Sequence, residues 1–402
     1  MTTVIVVGGG LVGTSTAYFA AREGMQVTLL EQEHAGYGAS GRNPGFVWLH
    51  CRNPGWAMQI SLAGRALYED LLRDLPVPFE FRADGGLIYF TTPEQGRVFE
   101  EFVAARRADG LDMELIDGAE VRRQVGPIRP DVLGASFCHN DAQINTPTVV
   151  AALAAGARSE GADIREGVEM TELIRDGDRV VGVETNQGRF MADLVVVATG
   201  AWTRKLLAAN GIKAHVGIER LQVLATAPRP LDIRPVVYGP LAAKQYSLFR
   251  DLPSWNQDDF MAPYEIETGN FFLQLVSQRA NGETLLGCPM DYPSDVTHDV
   301  TLIGLRDTAQ AISDDFPGLR NVPIVRMWAG VLPYTSDQLP IVDEVEPGLF
   351  LAAGHIFGNA AGPMTGKVLS QMLAGRDTEI DMSGCRFDRV LQSVDPGDPV
   401  NW

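Results

Sequence analysis

The first residues of the chain restrict its fold more than any other segment, because they begin a nucleotide-binding unit. Residues 4–7 are all β-branched and predict a short buried strand. Gly8, Gly10 and Gly13 follow in the spacing GxGxxG. In this pattern the first glycine permits a tight turn, the second lets a pyrophosphate approach the backbone, and the third lets a helix pack closely on the strand.

The helix and the second strand that follow complete this unit. Ala17, Ala20 and Gly24 give the predicted helix a face of small residues, and residues 27–30 predict a strand that ends at Glu31. A carboxylate there can accept hydrogen bonds from a ribose diol, while the N-terminus of the helix favours the pyrophosphate. The unit therefore predicts a dinucleotide site, and by itself it allows either FAD or NAD.

Composition and charge exclude several classes of protein. The chain has 402 residues, of which 45% are hydrophobic, so we expect two domains. The formal net charge of −18 argues against nucleic acid and anionic membranes as partners. No apolar run is long enough for a membrane span, and a first strand at Val4 leaves no room for a cleavable signal, so we expect a cytoplasmic enzyme. The four cysteines form no CxxC pair, which predicts neither a metal site nor a disulfide framework.

Periodicity and turn residues divide the rest of the chain into further elements. Helices are predicted at 56–75, 93–109, 146–160 with Thr146 as the cap, 301–314 and 363–373, and strands at 162–166, 168–175, 179–185 and 194–198. The segment 79–92 alternates and contains a Gly-Gly turn, which predicts an antiparallel hairpin. Residues 221–288 also favour antiparallel strands, interrupted by a lid-like loop at 252–264.

Three further segments resemble the flavin-dependent amine and amino-acid oxidase superfamily, which includes D-amino-acid oxidase, glycine oxidase and sarcosine oxidase. Residues 39–45 (ASGRNPG) are similar to the loop that runs along the pyrophosphate towards the flavin ring. Residues 193–203 (DLVVVATGAWT) are similar to a strand and turn beside the cofactor. The tail, with WAGVLPYTSDQLPIVD at 328–343 and a GH…G loop at 354–358, is similar to the C-terminal part of the family.

The resemblance implies FAD as the cofactor and a two-domain fold of mixed α/β and α+β class. A Rossmann-type FAD-binding domain would comprise residues 1–80, 140–220 and 325–402, and a discontinuous second domain on a mixed or antiparallel sheet would comprise 81–139 and 221–324. Besides the glycines and Glu31, the residues expected to bind FAD are Ser40, Arg42, Asn43, Val168, Thr199, Gly200, Trp202, Gly330, Gly354, Gly358 and Asn359. Glycine-rich backbone at 358–362, before a helix, would supply N–H donors to the negative charge of a reduced flavin.

The segment around Leu332 departs from the family pattern in two ways. Sarcosine oxidase relatives attach flavin through a cysteine just before the Y-T-x-D segment, where this chain has Leu332 and Pro333, so we expect non-covalent FAD. Glycine oxidase and D-amino-acid dehydrogenase relatives place an arginine at the Leu332 position, where it holds the substrate carboxylate. Either the substrate lacks an α-carboxylate, or another arginine holds it, and the candidates are Arg52, Arg250 and Arg279.

Five residues are candidates for catalysis or substrate contact. Strand alternation over 46–52 would place Trp48, His50 and Arg52 on one wet face of a strand that leaves the flavin-side loop, although an ordinary edge strand gives the same alternation. Tyr246, in the segment Lys244–Tyr246, is expected to face the ring or to end a solvated strand. His355 either lines the flavin or is a hydrogen-bonded loop histidine.

These observations predict an FAD-dependent oxidase or dehydrogenase of amines or amino acids. Hydride would pass from the carbon next to a neutral amine to flavin N5, the imine would hydrolyse to a carbonyl compound, and oxygen or another acceptor would reoxidise the cofactor. A nicotinamide-dependent dehydrogenase and a non-catalytic FAD-binding subunit are the other hypotheses.

The expected substrate is a cationic amino acid such as arginine. The hypothesis rests on the net acidity, on Leu332, and on three acids of the 252–264 loop and its flank, which are Asp258, Asp259 and Glu265. The chain as a whole also resembles the arginine-oxidising flavin dehydrogenases. A carboxylate would hold the distal positive group of such a substrate. The main alternative is a neutral or secondary amine of the sarcosine, glycine or proline type.

Overall fold

The computed structural model describes residues 1–262 and 271–389. Its strands, in chain order, are β1 (Thr3–Val7), β2 (Gln26–Glu31), β3 (Phe46–Val47), β4 (Phe81–Arg82), β5 (Gly86–Phe90), β6 (Met113–Asp117), β7 (Gly134–Cys138), β8 (Ala142–Ile144), β9 (Asp163–Glu166), β10 (Met170–Asp176), β11 (Arg179–Thr185), β12 (Gly188–Met191), β13 (Leu194–Val197), β14 (Gly217–Thr226), β15 (Val236–Tyr238), β16 (Phe271–Gln278), β17 (Thr284–Asp291), β18 (Ile324–Tyr334), β19 (Ile341–Glu346) and β20 (Leu349–Ala353).

The helices are α1 (Leu11–Arg22), α2 (Ala39–Arg42), α3 (Trp56–Asp74), α4 (Pro93–Ala108), α5 (Gly118–Gln124), α6 (Thr146–Ser159), α7 (Thr203–Ala209), α8 (Ala242–Gln245), α9 (Leu302–Asp315) and α10 (Gly358–Leu373). The helices predicted at 56–75, 93–109, 146–160 and 301–314 match α3, α4, α6 and α9 closely, whereas α10 begins at Gly358 and not at the predicted position 363. The short helices α2, α5, α7 and α8 were not predicted. Side-chain oxygens of Thr92, Asp117 and Thr301 accept backbone N–H bonds at the starts of α4, α5 and α9. The helix α6 differs from the prediction, because its N-cap is Asn145 and not Thr146.

A six-stranded sheet has the order β19-β20-β13-β1-β2-β9 and is parallel except for β19. After their first residues, the central strands β1 and β13 are buried apolar runs, as expected for a sheet covered on both faces. The helix α1 packs against α6 and α10. The carboxyl ends of β1 and β13 therefore meet at one edge, where Gly8 and Thr199 leave the sheet. This is the predicted Rossmann-type unit.

An eight-stranded mixed sheet forms the second layer, in the order β18-β14-β17-β16-β15-β5-β7-β6. Adjacent strands in this sheet are antiparallel, except for β5 and β15, which are parallel. Two three-stranded sheets complete the structure, with the orders β10-β11-β12 and β3-β8-β4. The predicted mixed fold with a second, discontinuous domain is confirmed.

Two local predictions are wrong. The segment 79–92 is not a hairpin, because β4 pairs with β8 while β5 pairs with β7 and β15 in a different sheet. The predicted strand at 46–52 ends at Val47, and all seven residues are buried, so it has no wet face. In both segments the alternation of residue types predicted the wrong local structure. Which strands pair and which residues are buried depends on contacts with distant residues, and sequence periodicity does not reveal these contacts.

The sheets suggest a small change to the expected domain boundaries. The limits at 220 and 325 fall inside β14 and β18, which pair with each other in the eight-stranded sheet. We propose that both strands belong wholly to the second domain, and that the other expected boundaries stand.

Candidate active site

One cavity of about 660 Å³ is lined by residues from both large sheets. We call one part of its wall the nucleotide half, which includes Gly8, Gly10, Glu31, Thr199 and Gly200. We call the other part the aromatic half, which comprises Phe46, Trp48, Glu219, Tyr238, Gln245, Tyr246, Leu273, Met290 and Leu332. The loop at 354–360 also lines the cavity.

Glu31 is held at the end of β2 by the turn that precedes α1. One carboxylate oxygen accepts the Gly9 N–H at 2.6 Å, and the other accepts the Glu33 N–H at 2.9 Å. Burial raises the pKa of this carboxyl, while the two backbone bonds oppose the shift. Each oxygen retains a lone pair for a further donor, so Glu31 is placed as a ribose ligand requires.

The three glycines of the first turn have different roles. Gly8 has a φ of +109°, and a Cβ at Gly8 would lie 2.4 Å from the Ala198 carbonyl oxygen. Gly13 does not line the cavity, but a Cβ there would lie 1.9 Å from the Gly8 oxygen, so it allows α1 to pack on the turn. Gly10 precedes α1, whose first turn has no acidic residue to neutralise its positive end. The turn leaves room for an anion at that point.

The loop after β2 contributes Ser40 and Asn43 to the cavity wall. The Ser40 hydroxyl accepts the Leu11 N–H at 2.9 Å and so ties this loop to the start of α1. Asn43 Oδ1 accepts hydrogen bonds from Thr146 Oγ1 at 3.0 Å and from Asn359 Nδ2 at 2.8 Å. The Thr146 hydroxyl, which was expected to cap α6, therefore links the start of α6 to the loop that contains Asn43.

Besides Gly13, two predicted cofactor residues, Arg42 and Gly330, do not line the cavity. The Arg42 guanidinium stacks 4.3 Å from the centre of the Tyr37 ring, and its carbonyl oxygen accepts the Trp328 Nε1 hydrogen bond at 2.8 Å. A Cβ at Gly330 would lie 3.0 Å from the same carbonyl oxygen. Arg42 and Gly330 therefore join the loop to β18, and the structure gives neither a place at the cavity surface.

The remaining predicted cofactor residues do line the cavity. They are Val168, Thr199, Gly200, Trp202, Gly354, Gly358 and Asn359. Gly200 and Gly354 have φ values of +55° and +78°, which a residue with a side chain rarely adopts. Gly358 begins α10, and no acidic residue lies in the first turn of that helix. A second helix N-terminus therefore borders the cavity, as predicted for a reduced flavin.

His355 lines the cavity beside this helix. Its Nε2 lies 3.2 Å from the Thr365 hydroxyl, and burial lowers the pKa of the imidazole to about 4. The ring is therefore uncharged at neutral pH.

The aromatic half is built around Trp48. Its ring meets Tyr238 edge to face at 4.6 Å between centres, and Phe46 lies 5.0 Å from the same tyrosine. Tyr246 also lines this half, and burial raises the pKa of its hydroxyl far above the ordinary value. Trp48 and Tyr246 thus lie in the wall, as the sequence predicted, and Tyr238 is an aromatic residue that the sequence did not single out.

Glu219 is the most unexpected residue of the aromatic half. It lies on β14, is only 2% exposed, and is directly opposite Leu332 of β18 in the antiparallel register. Directly opposed residues of such a pair project from the same face of the sheet. The signal that could have found Glu219 is a carboxylate within an otherwise mainly apolar strand.

His50 does not reach the cavity, although it lies next to the wall. Its Nδ1 is 3.1 Å from Asp141 Oδ2, its Nε2 is 2.8 Å from the Ser136 hydroxyl, and its ring stacks on Trp48 at 4.7 Å. His50, Cys138 and Asp141 have the spacing of possible metal ligands. The His50 ring and the Asp141 carboxylate are already hydrogen-bonded within the protein, since Asp141 Oδ1 also accepts the backbone N–H groups of Leu49 and His50.

Arg52 is also buried outside the cavity wall. Its guanidinium carbon lies 3.8 Å from the centre of the Phe357 ring, and its Nε donates to Ser61 Oγ at 3.2 Å. Burial lowers the pKa of the side chain to about 9, so it remains charged at neutral pH. Phe357 lines the cavity, which places Arg52 behind that ring and not where a substrate carboxylate would contact it directly.

Residues 3–372 match the family described as DAO, FAD dependent oxidoreductase. The chain belongs to this family of FAD-dependent oxidoreductases. Since the match covers most of the chain, FAD is the cofactor, and the hypothesis of a nicotinamide-dependent dehydrogenase is wrong. Three features of the cavity fit FAD. They are the glycine turn before α1, the placement of Glu31 and the two helix N-termini.

Two relatives and one solved structure match this chain over most of their length. The chain is 28% identical to the uncharacterized oxidoreductase YurR of Bacillus subtilis (strain 168), covering 95% of this chain and 98% of the relative. It is 26% identical to sarcosine oxidase subunit beta of Rhizobium meliloti (strain 1021), covering 96% and 88%. The crystal structure of glycine oxidase from Geobacillus kaustophilus is similar with a TM-score of 0.81 and 23% identity, covering 98% of this chain and all of that one. The last likeness supports the fold.

The cysteines bear on how this oxidoreductase holds its cofactor. Cys51, Cys138, Cys288 and Cys385 are all buried and free, and none lines the cavity. Burial raises the pKa of each thiol, to about 12 for Cys385, so the reactive thiolate is disfavoured. These cysteines are poorly suited to attach a flavin.

The charged residues proposed for substrate binding lie away from the cavity of the oxidoreductase. Lys244, Arg250, Arg279, Asp258 and Asp259 do not line it. Arg279 is paired with Glu283 at 2.8 Å, and Glu265 lies outside the described residues.

Within the described part of the chain, no helix has both the length and the apolar character needed to cross a bilayer.

Proposed function

We propose that the protein oxidises the C–N bond of a small amine or amino acid with non-covalently bound FAD. The observation that carries this proposal is that the nucleotide half and the aromatic half line one continuous cavity. When bound there, FAD supplies the hydride acceptor for a carbon that bears a neutral amine.

The chain's own residues would hold the two ends of the cofactor. Glu31 would accept the hydrogen bonds of the ribose diol, and the start of α1 at Gly10 would face the pyrophosphate. The start of α10 at Gly358 would offer backbone N–H groups to the negatively charged edge of the reduced ring.

The aromatic half would exclude water and position the substrate. Trp48, Tyr238 and Tyr246 provide apolar faces, and Gln245 and the tyrosine hydroxyls provide polar contacts. Because His355 is uncharged at neutral pH, it neither repels a cationic substrate nor attracts a carboxylate. The product imine would hydrolyse in water to a carbonyl compound and an amine or ammonia.

Two classes of substrate are candidates. A cationic amino acid such as arginine is our first proposal, and the net charge of −18 supports its distal positive group. Its α-carboxylate would have no arginine partner among the described residues that line the cavity. Asp258 and Asp259 no longer support it, because they lie outside the cavity wall. Small neutral amines are the alternative, supported by the likeness to proteins described as glycine oxidase and sarcosine oxidase subunit beta.

An anaerobic screen of flavin bleaching tests this function. The purified holoprotein is mixed with arginine, lysine, ornithine, alanine, proline, glycine and sarcosine, using both enantiomers of the chiral amino acids, and with simple amines. We expect at least one amine to bleach the flavin. Addition of an electron acceptor should restore the flavin absorbance. A yellow protein that no amine bleaches would support the hypothesis of a non-catalytic FAD-binding subunit. A preference of tenfold or more in kcat/KM for sarcosine, glycine or proline would overturn the cationic substrate.

A further inference from the structure

Arg52 carries a buried positive charge next to the cavity. The residue is 2% exposed, and its guanidinium carbon lies 3.8 Å from the centre of the Phe357 ring. Phe357 lines the cavity and is the N-cap of α10, so the cation lies behind the start of this helix. The Phe357 ring therefore separates the charge from the space in which we place the flavin.

The protein compensates this charge poorly. Arg52 Nε donates to the Ser61 hydroxyl at 3.2 Å, and this hydroxyl donates to the Ala57 carbonyl oxygen at 2.7 Å, so the acceptor is neutral. Arg52 Nη1 has no hydrogen-bond partner among the described residues. Burial lowers the pKa of Arg52 to about 9. After burial, the described groups whose charges act on this pKa are Tyr246 and Arg106, and neither has a carboxylate.

Arg106 is buried close by and is compensated differently. Its Nη1 donates to Asp109 at 2.6 Å, and its other two nitrogens donate to the carbonyl oxygens of His50 and Arg52. An ion pair and two further hydrogen bonds therefore offset the cost of burying Arg106. Arg52 has no such ion pair among the described residues, and an uncompensated buried charge is costly. We therefore expect its counter-charge to come from a group bound in the cavity.

The start of α10 is the place where such a negative charge is expected. The described first turn of this helix has no acidic residue, and burial lowers the pKa of the neighbouring His355 to about 4. Hydride transfer moves one proton and two electrons from the substrate carbon to the flavin, which leaves an iminium cation and one negative charge on the flavin. Arg52 and the backbone N–H groups at Gly358 would both stabilise this charge. Since Arg52 is buried, solvent screens the interaction only weakly.

We propose that the buried charge of Arg52 raises the reduction potential of the flavin by stabilising, across the Phe357 ring, the negative charge that hydride transfer creates. Arg52 acts from behind the cavity wall and touches neither the substrate nor the flavin. The inference rests on the proposed placement of the reduced ring at the start of α10 and goes beyond the amine oxidation proposed above.

The first experiment measures the reduction potential of the holoprotein by anaerobic titration with dithionite and a reference dye. Arg52→Met removes the charge and keeps an unbranched apolar chain, and it should disfavour the reduced flavin at least tenfold, which lowers the potential of this two-electron couple by about 30 mV. Arg52→Lys keeps a positive charge and should retain most of the wild-type potential. An unchanged potential in Arg52→Met, or equal potentials in the two variants, would overturn the proposal.

A matched control separates the site charge from the net charge of the protein. Arg97→Met removes an exposed arginine charge from α4 and should change the equilibrium between oxidised and reduced flavin less than twofold. A shift as large as that of Arg52→Met would show that net charge sets the potential and would contradict the assignment.

The melting temperature separates an electrostatic role from a structural one. Because an unpaired buried charge destabilises a fold, Arg52→Met should leave the melting temperature of the oxidised holoprotein unchanged or raise it. An FAD content equal to that of the wild type verifies that the variant is folded. A lower melting temperature together with the wild-type potential would show that the guanidinium is structural and would refute the proposal.

A substrate carboxylate is the other anion that could use this charge. Acetate and its neutral analogue acetamide are titrated into the oxidised holoprotein, and the flavin absorbance reports their binding. Because Arg52 lies behind Phe357, we expect Arg52→Met to change both affinities less than threefold. A loss of tenfold or more for acetate alone, with the wild-type potential, would assign the charge to a carboxylate and overturn the proposal.

The potential also distinguishes failure of this inference from failure of the proposed function. If Arg52→Met has the lower potential but no amine bleaches the wild-type flavin, the role of Arg52 stands and amine oxidation fails. If an amine is oxidised and both kcat and the potential are unchanged in the variant, the proposed function stands and the role of Arg52 fails.

Discussion

Asn359 Nδ2 donates a hydrogen bond of 2.8 Å to Asn43 Oδ1, although the two residues are 316 positions apart in the sequence. The same amide nitrogen also donates to the Phe46 carbonyl oxygen at 3.1 Å. The two amides therefore hold the loop before β3 against the start of α10, and both residues line the cavity.

Asn359→Ala should weaken FAD binding and lower the melting temperature. The substitution removes two hydrogen bonds between the loop and α10, each of which contributes about 0.5 to 1.5 kcal/mol. FAD dissociation by fluorescence and thermal unfolding measure the two effects. Asn256→Ala, at the start of an exposed turn, is the control. Unchanged FAD affinity in Asn359→Ala would show that the link does not support the site.

Gly10→Val and Gly13→Val should each yield apoprotein. A Cβ at Gly13 would lie 1.9 Å from the Gly8 oxygen, and one at Gly10 would lie 3.2 Å from Ser40 Oγ and project into the space for the pyrophosphate. The FAD-to-protein ratio after purification measures the effect. Gly384→Ala is the matched control, because a Cβ there meets nothing within 4 Å. A stoichiometric FAD content in either valine variant would show that the turn does not bind the pyrophosphate.

FAD should be released completely by acid or heat denaturation. The four cysteines are buried outside the cavity wall, and their raised pKa values disfavour a thioether link. Absorbance of the supernatant after precipitation measures the released flavin. Yellow colour that stays with the precipitated chain would reveal a covalent bond.

Stability should fall between about pH 6.5 and pH 4, in part because of His355. The unfolded imidazole takes up a proton near pH 6.5, whereas the folded one has a pKa of about 4. The unfolded chain therefore binds more protons in this window, and acidification destabilises the fold by up to about 3 kcal/mol through this group. Urea unfolding of wild type and His355→Gln at pH 7 and pH 5 measures the difference. The variant should lose less stability than the wild type, and equal losses would refute this role.

Local patterns predicted the Rossmann-type unit well. The glycine spacing and the two strands of the first 31 residues follow rules that need only neighbouring residues, and α1, α3 and α4 follow from helical periodicity. The resemblance of the C-terminal segments predicted FAD, which the family match confirms.

Features that depend on distant contacts could not be predicted. His50 alternates with apolar residues as a wet-face residue would, yet Ser136 and Asp141 satisfy both ring nitrogens inside the core. Glu219 becomes notable only when the register of β14 and β18 places it opposite Leu332. Such pairings depend on which strands are adjacent in the sheet, and local patterns in one sequence do not reveal that.

The separation of Asn43 and Asn359 along the chain has a consequence for biogenesis. A site assembled from residues near both ends of the family match can close only after nearly the whole polypeptide has been synthesised, and pairings of such long range are slow to form. Flavin captured by a nascent or truncated chain would lack the start of α10. The yellow colour of a purified sample therefore indicates that the whole chain has folded. Colourless protein from an expression host would indicate incomplete folding as readily as a shortage of riboflavin.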